Sequence, residues 1–236
     1  MTIKDMHYDF KTKLNKLDSN QYRNIQIPDI DRKLNEASFM FIKSIAEPRF
    51  AKEIGLEMNQ RTIEDLRTII VDNTELTATA YDNYSYTVTL PVDYLLPANL
   101  KVIASKNSCK SVSCDVIIRK HGDKHENSSF DKSSFEWREV NAHFLDNRIR
   151  LFTDGIFIIE KLVLDYLRKM LYMHNAEDWD TAGYTLPDGT LLTGTQDCEL
   201  PDIVHHEIVD LAVLITSGEI NARDYSLKQA KIQLNQ

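Results

Sequence analysis

The feature that most limits the possible folds is the apolar pattern of residues 200–215, near the end of the printed sequence. Pro201 and Asp202 are typical of a helix N-terminus, because proline lacks the N–H that would be unpaired there and an acid suits the helix dipole. Apolar residues then recur at helical spacing in two neighbouring rows: Val204, Ile208, Leu211 and Ile215, and beside them Val209 and Val213. A helix with so wide an apolar surface needs partners on more than one side.

Gly218 is a plausible end of this helix, and residues 220–234 predict a shorter, more polar helix. The apolar surface has two interpretations. It either forms the core of the chain or is shared with neighbouring subunits. On the second interpretation the candidate interface residues are Val204, Ile208, Val209, Leu211, Val213, Ile215, Leu227 and Leu234.

Two more amphipathic helices are predicted near the start of the chain. The first carries Met6, Phe10, Leu14 and Leu17 on one face. The second begins at Pro28 and Asp29, and Pro48 ends or kinks it because the residue before proline avoids helical angles. Its predicted core stripe is Ile30, Leu34, Ala37, Phe41 and Ile45, widened by Phe39, Met40 and Ile42.

From residue 68 the pattern becomes that of strands, rich in Thr, Tyr and Val. Residues 120–134 are polar and predict a mobile surface loop. The order of helices, strands and helices predicts an α+β fold: a helical bundle formed by N- and C-terminal helices with an inserted antiparallel β-sandwich or small barrel. The expected parts are residues 1–67, 68–170 and 171–236. The predicted strands are residues 76–81, 84–90, 100–105, 112–119, 135–140, 148–152 and 156–166.

Charge and composition narrow the function. The net charge of −8 argues against a protein that reads DNA sequence, because phosphate binding needs a basic face. An acidic protein can still line a path along which DNA moves. No apolar run is long enough to span a membrane, and the first residues lack a secretory signal, so we expect a protein made in the cytoplasm. Three cysteines are too few for a disulfide framework or a zinc site.

Catalytic motifs are absent: the sequence has no Gly-rich phosphate loop, no G-x-S-x-G and no H-E-x-x-H. We interpret the remaining polar clusters as solvated surface, and we expect no enzyme activity, cofactor or bound metal. Three clusters could contradict this: His121, Asp123, His125 and Glu126 as metal ligands; His205, His206, Glu207 and Asp210 on a helix, with His206 and Asp210 as a pair; and Asp178 with Asp180 as an acidic pair.

An ordered set of segments gives the chain a family resemblance. LNKLDSNQYRN at residues 14–24, IPDIDRKLNEA at 27–37 and FIKSIAEPR at 41–49 resemble the start of the head-to-tail ring proteins of crAss-like bacteriophages. More loosely, the chain is similar to tail tubular protein A of podophages, an adaptor family. LPVDYL at 90–95, LDYLR at 164–168 and LPDIVHHEIVDLA at 200–212 follow in the same order. Residues 106–134 resemble the family least.

The resemblance implies a non-enzymatic structural virion protein that forms a ring, usually twelvefold, at the head–tail junction. Such a ring connects the portal and capsid vertex to the tail and lines the DNA conduit. The implied partners are other copies of the chain, the portal protein, other tail ring proteins, and double-stranded DNA that passes without sequence recognition. Two alternatives stay open: a metal-assisted hydrolase that uses His121 and His125, and a cytoplasmic scaffold module unrelated to virions.

Overall fold

The computed structural model describes residues 1–15, 25–46, 64–106, 110–119, 131–180 and 182–220. The chain forms two compact units. Unit 1 comprises Met1–Ile69 and Met170–Gln236, and unit 2 comprises Ile70–Lys169. Helices from both ends of the sequence belong to unit 1 and a large sheet forms unit 2, so the fold is of the α+β class. The boundaries between the units fall at 69/70 and 169/170.

Unit 2 is built on one curled sheet of eight strands, with the spatial order β1-β8-β4-β5-β6-β7-β3-β2. Its neighbouring strands are antiparallel, apart from β5 and β6, which are parallel. The strands are β1 Ile70–Thr77, β2 Thr79–Asp82, β3 Ser85–Thr89, β4 Tyr94–Ser105, β5 Val112–Ile118, β6 Glu139–Leu145, β7 Arg148–Phe152 and β8 Ile158–Arg168.

The parallel pair corrects the expectation of an entirely antiparallel sheet. Parallel neighbours need a long crossover connection, and residues 119–138 supply it. The described end of this connection is anchored: the Asn141 side chain donates to the Asp131 carbonyl at 2.6 Å, and the Asn141 N–H donates to Ser133 Oγ at 3.0 Å. Residues 135–138 form a turn, with Arg138 at φ 55°, so β6 begins at Glu139 rather than at residue 135.

The two edge strands of the sheet, β1 and β2, are separated by a single residue, Ala78. Residues 70–82 therefore pair first with β8 and then with β3, which brings the two edges of the sheet together at Ala78. The sheet curls around a core to which nearly every strand contributes. On β8, Leu162, Leu164 and Tyr166 lie in that core. The buried face of β8 is therefore the face that carries Leu162, Leu164 and Tyr166.

Unit 1 contains the helices α1 Ile3–Asn15, α2 Ile27–Ala46 and α3 Asp202–Ile220, and α3 contacts both α1 and α2. The predicted stripes point inward on each helix. They bury Met6, Phe10 and Leu14 on α1, and Ile30, Leu34, Ala37, Phe41 and Ile42 on α2. Among the described helices, none combines the length and apolar character that a membrane crossing needs.

Two details of the helices differ from expectation. α3 continues through Gly218 to Ile220, so this glycine is not the end of the helix. Phe39 and Met40 do not widen the core stripe of α2; both side chains are about half exposed. Leu17, Pro48 and residues 221–236, including Leu227 and Leu234, lie outside the described residues.

Residues 170–199 contain two small antiparallel pairs and a short 3-10 turn at Ala176–Asp178. β9 His174–Asn175 pairs with β12 Thr195–Gln196, and β10 Gly183–Thr185 pairs with β11 Leu191–Thr193. β9 and the 3-10 turn contact α2, so this segment belongs to the packing of unit 1.

Candidate functional site

A buried carboxylate, Asp31, links three segments of unit 1. It lies on α2 and has no exposed surface. Asp31 Oδ1 is 2.7 Å from His7 Nε2 of α1, and Oδ2 accepts a hydrogen bond from the Tyr184 hydroxyl at 2.8 Å. The Asn175 N–H is 3.2 Å from both oxygens. One side chain therefore joins α1, α2 and the segment that carries β9 and β10.

The environment keeps the tyrosines around Asp31 protonated. Burial raises the pKa of Tyr184, and the hydrogen bond to Asp31 raises it further. Burial also raises the pKa of Tyr172, with the charge of Asp31 as the second cause. A buried carboxylate is costly unless donors satisfy its oxygens. Here both oxygens accept hydrogen bonds, so the network holds α1, α2 and the segment that carries β9 and β10 together.

Asn35 lies one turn further along α2 and extends this hydrogen-bond network. Its side-chain amide donates to the Met173 carbonyl at 2.7 Å, and its side-chain oxygen accepts from the Met173 N–H at 2.9 Å. Asp31, Asn35 and Phe39 form one row at i, i+4 and i+8. The first two bind residues 173–175, whereas Phe39 is 54% exposed. Along α2, this row thus changes from a buried polar residue, Asp31, to an exposed apolar residue, Phe39.

Sequence reasoning missed His7, Asp31 and Asn35, because it followed the apolar positions of each helix. A signal was present: Asp31 directly follows core residue Ile30, and Asn35 directly follows core residue Leu34. Polar residues beside the buried stripe of a helix must be hydrogen-bonded when they are covered. Their partners, Met173, Asn175 and Tyr184, are more than 130 residues away, and no local pattern identifies them.

The predicted interface residues divide into three groups, of which two lie on α3. Val204, Ile208, Val209 and Val213 are buried by the chain itself, because α3 packs on α1 and α2 together. The surface of these four side chains is therefore covered within one subunit. Leu211 and Ile215 are half-buried and keep some accessible surface. Leu227 and Leu234 lie outside the described residues.

The polar residues of α3 contact partners other than the expected ones. His205 is buried, and its Nε2 donates to the Leu200 carbonyl at 2.8 Å. His206 Nδ1 is 3.3 Å from Asp9 of α1, and Asp210 is 2.8 Å from Lys13 Nζ of the same helix. The expected pair between His206 and Asp210 is therefore replaced by contacts that hold α3 against α1.

The acidic pair Asp178 and Asp180 also separates into different roles. The Asn175 side chain donates to Asp178 at 2.8 Å, and Lys4 Nζ of α1 lies 3.3 Å from the same carboxylate. The hydrogen bond from Asn175 and the contact with Lys4 lower the pKa of Asp178. Asp180 is exposed. Asp178 thus contributes to the docking of α1 on residues 175–178.

Within the described ranges, no group of three or more His, Cys, Asp and Glu side chains could hold a metal ion. The cluster His121, Asp123, His125 and Glu126 lies outside those ranges, as does Cys109. Cys114 and Cys198 are free thiols, and burial raises the pKa of both, that of Cys198 to about 11. Raised thiol pKa values disfavour the nucleophilic thiolate.

Unit 1 also carries apolar side chains on the outside of its helices. Phe39 and Met40 are 54% and 48% exposed on α2, and Ile203 is 69% exposed on α3. Ile203 begins the row Ile203, Glu207, Leu211 and Ile215, with a spacing of four residues. Because the inward stripes of α2 and α3 are already buried, these outer residues are additional to the core.

A scan against protein-family models finds no match for this chain, and a search of curated proteins also finds none.

Proposed function

We propose that this chain is a structural virion protein of a tailed bacteriophage, which forms a ring that connects the portal vertex to the tail and lines the DNA conduit. The observation that carries the proposal is the surface of unit 1, where Phe39, Met40 and Ile203 are exposed on helices whose inward faces are already buried. A second support is the resemblance of residues 14–49, 90–95, 164–168 and 200–212, in that order, to the head-to-tail ring proteins of crAss-like bacteriophages.

In this proposal α1, α2 and α3 act as the helical bundle that supports subunit contacts, and unit 2 is the inserted β subdomain. A closed ring holds many identical contacts at once, so each contact can be weak while the assembly persists. We propose twelve copies in the ring, with the portal protein and other tail ring proteins as further partners. The mechanism is multivalent docking and requires no cofactor.

The net charge of −8 supports the conduit role. Double-stranded DNA carries a dense negative charge, and a protein retains it mainly by neutralising phosphates with Lys and Arg. A wall of like charge lets DNA pass without adhering to it. The acidic character of this chain therefore suits a passage better than a binding site.

The test is quantitative mass spectrometry of purified phage particles, with the abundance of this chain scaled to that of the portal protein. A ratio near one supports a ring that matches the portal. Absence of the chain from mature particles rejects the proposal, and a non-virion scaffold would then be the better interpretation. The position of the gene gives an independent check, because a ring protein should be encoded among portal, capsid and tail genes.

A further inference from the structure

We infer that one exposed face of α2 binds an acidic helix of another virion protein. This α2 face consists of Arg32, Glu36, Phe39, Met40 and Lys43, which lie on one side of the helix and are all exposed. The inference rests on the proposed function for the presence of neighbouring virion proteins. It adds the surface that meets one of them and the chemistry of the segment that fits this surface.

The α2 face has an apolar centre between two cations. Its residues fall at i, i+4, i+7, i+8 and i+11, which keeps them within about 100° of the helix circumference. Phe39 and Met40 form the centre, and both are about half exposed. Arg32 and Lys43 lie at opposite ends of the face, about 16 Å apart along the helix axis. A partner helix of about three turns would therefore cover it.

The charge of the α2 face is positive. Among the residues that the structure describes, neither Arg32 nor Lys43 has an ion-pair partner. Glu36 is the one carboxylate of the face, and Lys33 Nζ lies 3.1 Å from it. Asp29 lies further away in the first turn of α2, where the helix dipole offsets its charge. Both cations of the face are therefore available to carboxylates of a partner.

Charge complementarity selects an acidic amphipathic helix as the partner. Apolar contact with Phe39 and Met40 supplies buried area, and opposite charges at its two ends fix the register of the partner. A helix with Asp or Glu on both sides of an apolar row would place one carboxylate near Arg32 and another near Lys43. A DNA backbone would meet the cations but would leave the apolar centre without apolar contacts.

The most acidic helix of this chain is already engaged within its own subunit. α3 carries four carboxylates and no Lys or Arg. Asp202, however, is paired with the Met1 amine, and Asp210 is paired with Lys13 Nζ. Glu207 also has an interaction within the chain. Because these carboxylates are occupied, α3 of a second copy is a poor complement to the α2 face, which favours a helix from a different protein.

The first experiment places the photoreactive residue p-benzoylphenylalanine at position 39 of the chain in phage particles. Phe39 is exposed, so unit 1 should still fold with this aromatic in its place. Illumination joins the probe to whatever covers it, and mass spectrometry of the crosslinked peptides identifies the partner. We expect a helix of another virion protein with carboxylates beside an apolar row. The same probe at Tyr8, an exposed aromatic of α1 outside the α2 face, should not give this crosslink.

The second experiment tests the charges with the same probe at position 39. Arg32→Glu and Lys43→Glu should each lower the yield of this crosslink at least about threefold, because each sets like charges against the partner. The matched control is Lys101→Glu, which reverses an exposed charge in unit 2 and should leave the yield unchanged. Equal yields in all three variants would overturn the charge complementarity on which the inference depends.

Several other results would also overturn the inference: a crosslink from position 39 to a second copy of this chain, to another part of the same chain, to DNA, or to a basic segment of a partner. No crosslink at all would show that the α2 face stays open to solvent in the particle, which contradicts it equally. In each of these cases the chain is present in particles, so the ring function stands. A chain that is absent from particles overturns the proposed function itself. The two failures are thus distinguishable.

Discussion

At the scale of single residues, Asp31 is a buried carboxylate that joins three segments of unit 1. Its contacts come from α1 through His7 and from distant residues through Asn175 and Tyr184. A buried charge of this kind adds little net stability when its partners are present, but its loss of a partner is expensive. We therefore expect the network to fix which segments meet more than to strengthen the core.

We expect Asp31→Ala to lower the free energy of unfolding of unit 1 by about 3–5 kcal/mol, because the donors of His7 and Tyr184 lose their acceptor. The matched control is Asp29→Ala on the exposed side of α2, which should cost about 1 kcal/mol or less. Of the two tryptophans, Trp179 belongs to unit 1 and Trp137 to unit 2. Urea unfolding followed by Trp179 fluorescence in a Trp137→Phe background measures both variants. Equal losses would contradict the role of Asp31.

The raised pKa of Tyr184 predicts a loss of stability in alkali. An unfolded tyrosine releases its proton near pH 10, whereas the folded protein holds the proton of Tyr184 because the pKa is raised by burial and by Asp31. Above pH 10 the unfolded state therefore binds fewer protons, and stability falls as pH rises. Tyr184→Phe should reduce the slope of unit 1 stability by at most about 1.4 kcal/mol per pH unit. Unfolding curves measured between pH 8 and 12 give the two slopes, and equal slopes for the wild type and Tyr184→Phe would contradict the raised pKa of Tyr184.

At the scale of secondary structure, the helices could be predicted better than the sheet. Local residue patterns predict the start of α3 at Pro201 and Asp202, and they predict the buried stripes of α1 and α2. The pairing of β5 with β6 depends on a 20-residue connection that local periodicity does not describe. The helix end predicted at Gly218 was wrong, because glycine only permits a helix to end and the contacts of the following residues decide where it does.

The division of α3 into an inner and an outer face makes a direct prediction. Val209 has no exposed surface, so Val209→Asp places a carboxylate in the core without a donor and should prevent unit 1 from folding. Ile203→Asp adds the same charge to the exposed side of the same helix and should leave folding intact. Circular dichroism and thermal unfolding compare the pair. A folded Val209→Asp chain would contradict the burial of this residue in the core of unit 1.

The alternation of β8 gives a second matched pair. Leu164 is fully buried in the core of unit 2, and Leu164→Ala should cost about 2–5 kcal/mol through lost contacts and the cavity left behind. Val163 is half-buried on the opposite face, and Val163→Ala should cost about 1 kcal/mol or less. Urea unfolding followed by Trp137 fluorescence in a Trp179→Phe background measures both. Similar losses would show that both faces of β8 are equally covered.

At the scale of the whole molecule, the net charge of −8 predicts weak interaction with DNA. At physiological salt we expect no change in the electrophoretic mobility of a double-stranded fragment when the chain is added at about 10 µM, well below the weakest typical non-specific dissociation constant of about 100 µM. A variant that replaces exposed carboxylates of α3 with Lys serves as the control that should bind more strongly. Tight, salt-sensitive binding by the wild-type chain would contradict a passive conduit wall.

The pairing of β1 with β8 has one further consequence. Ile70 lies opposite Leu167, so the first and last residues of unit 2 leave the sheet as near neighbours on adjacent strands. Adjacent strands are about 5 Å apart. The polypeptide thus enters and leaves unit 2 on two adjacent strands, and a short loop could join these two points. We therefore expect that unit 2 can be exchanged, shortened or deleted without pulling apart the two flanking segments of unit 1.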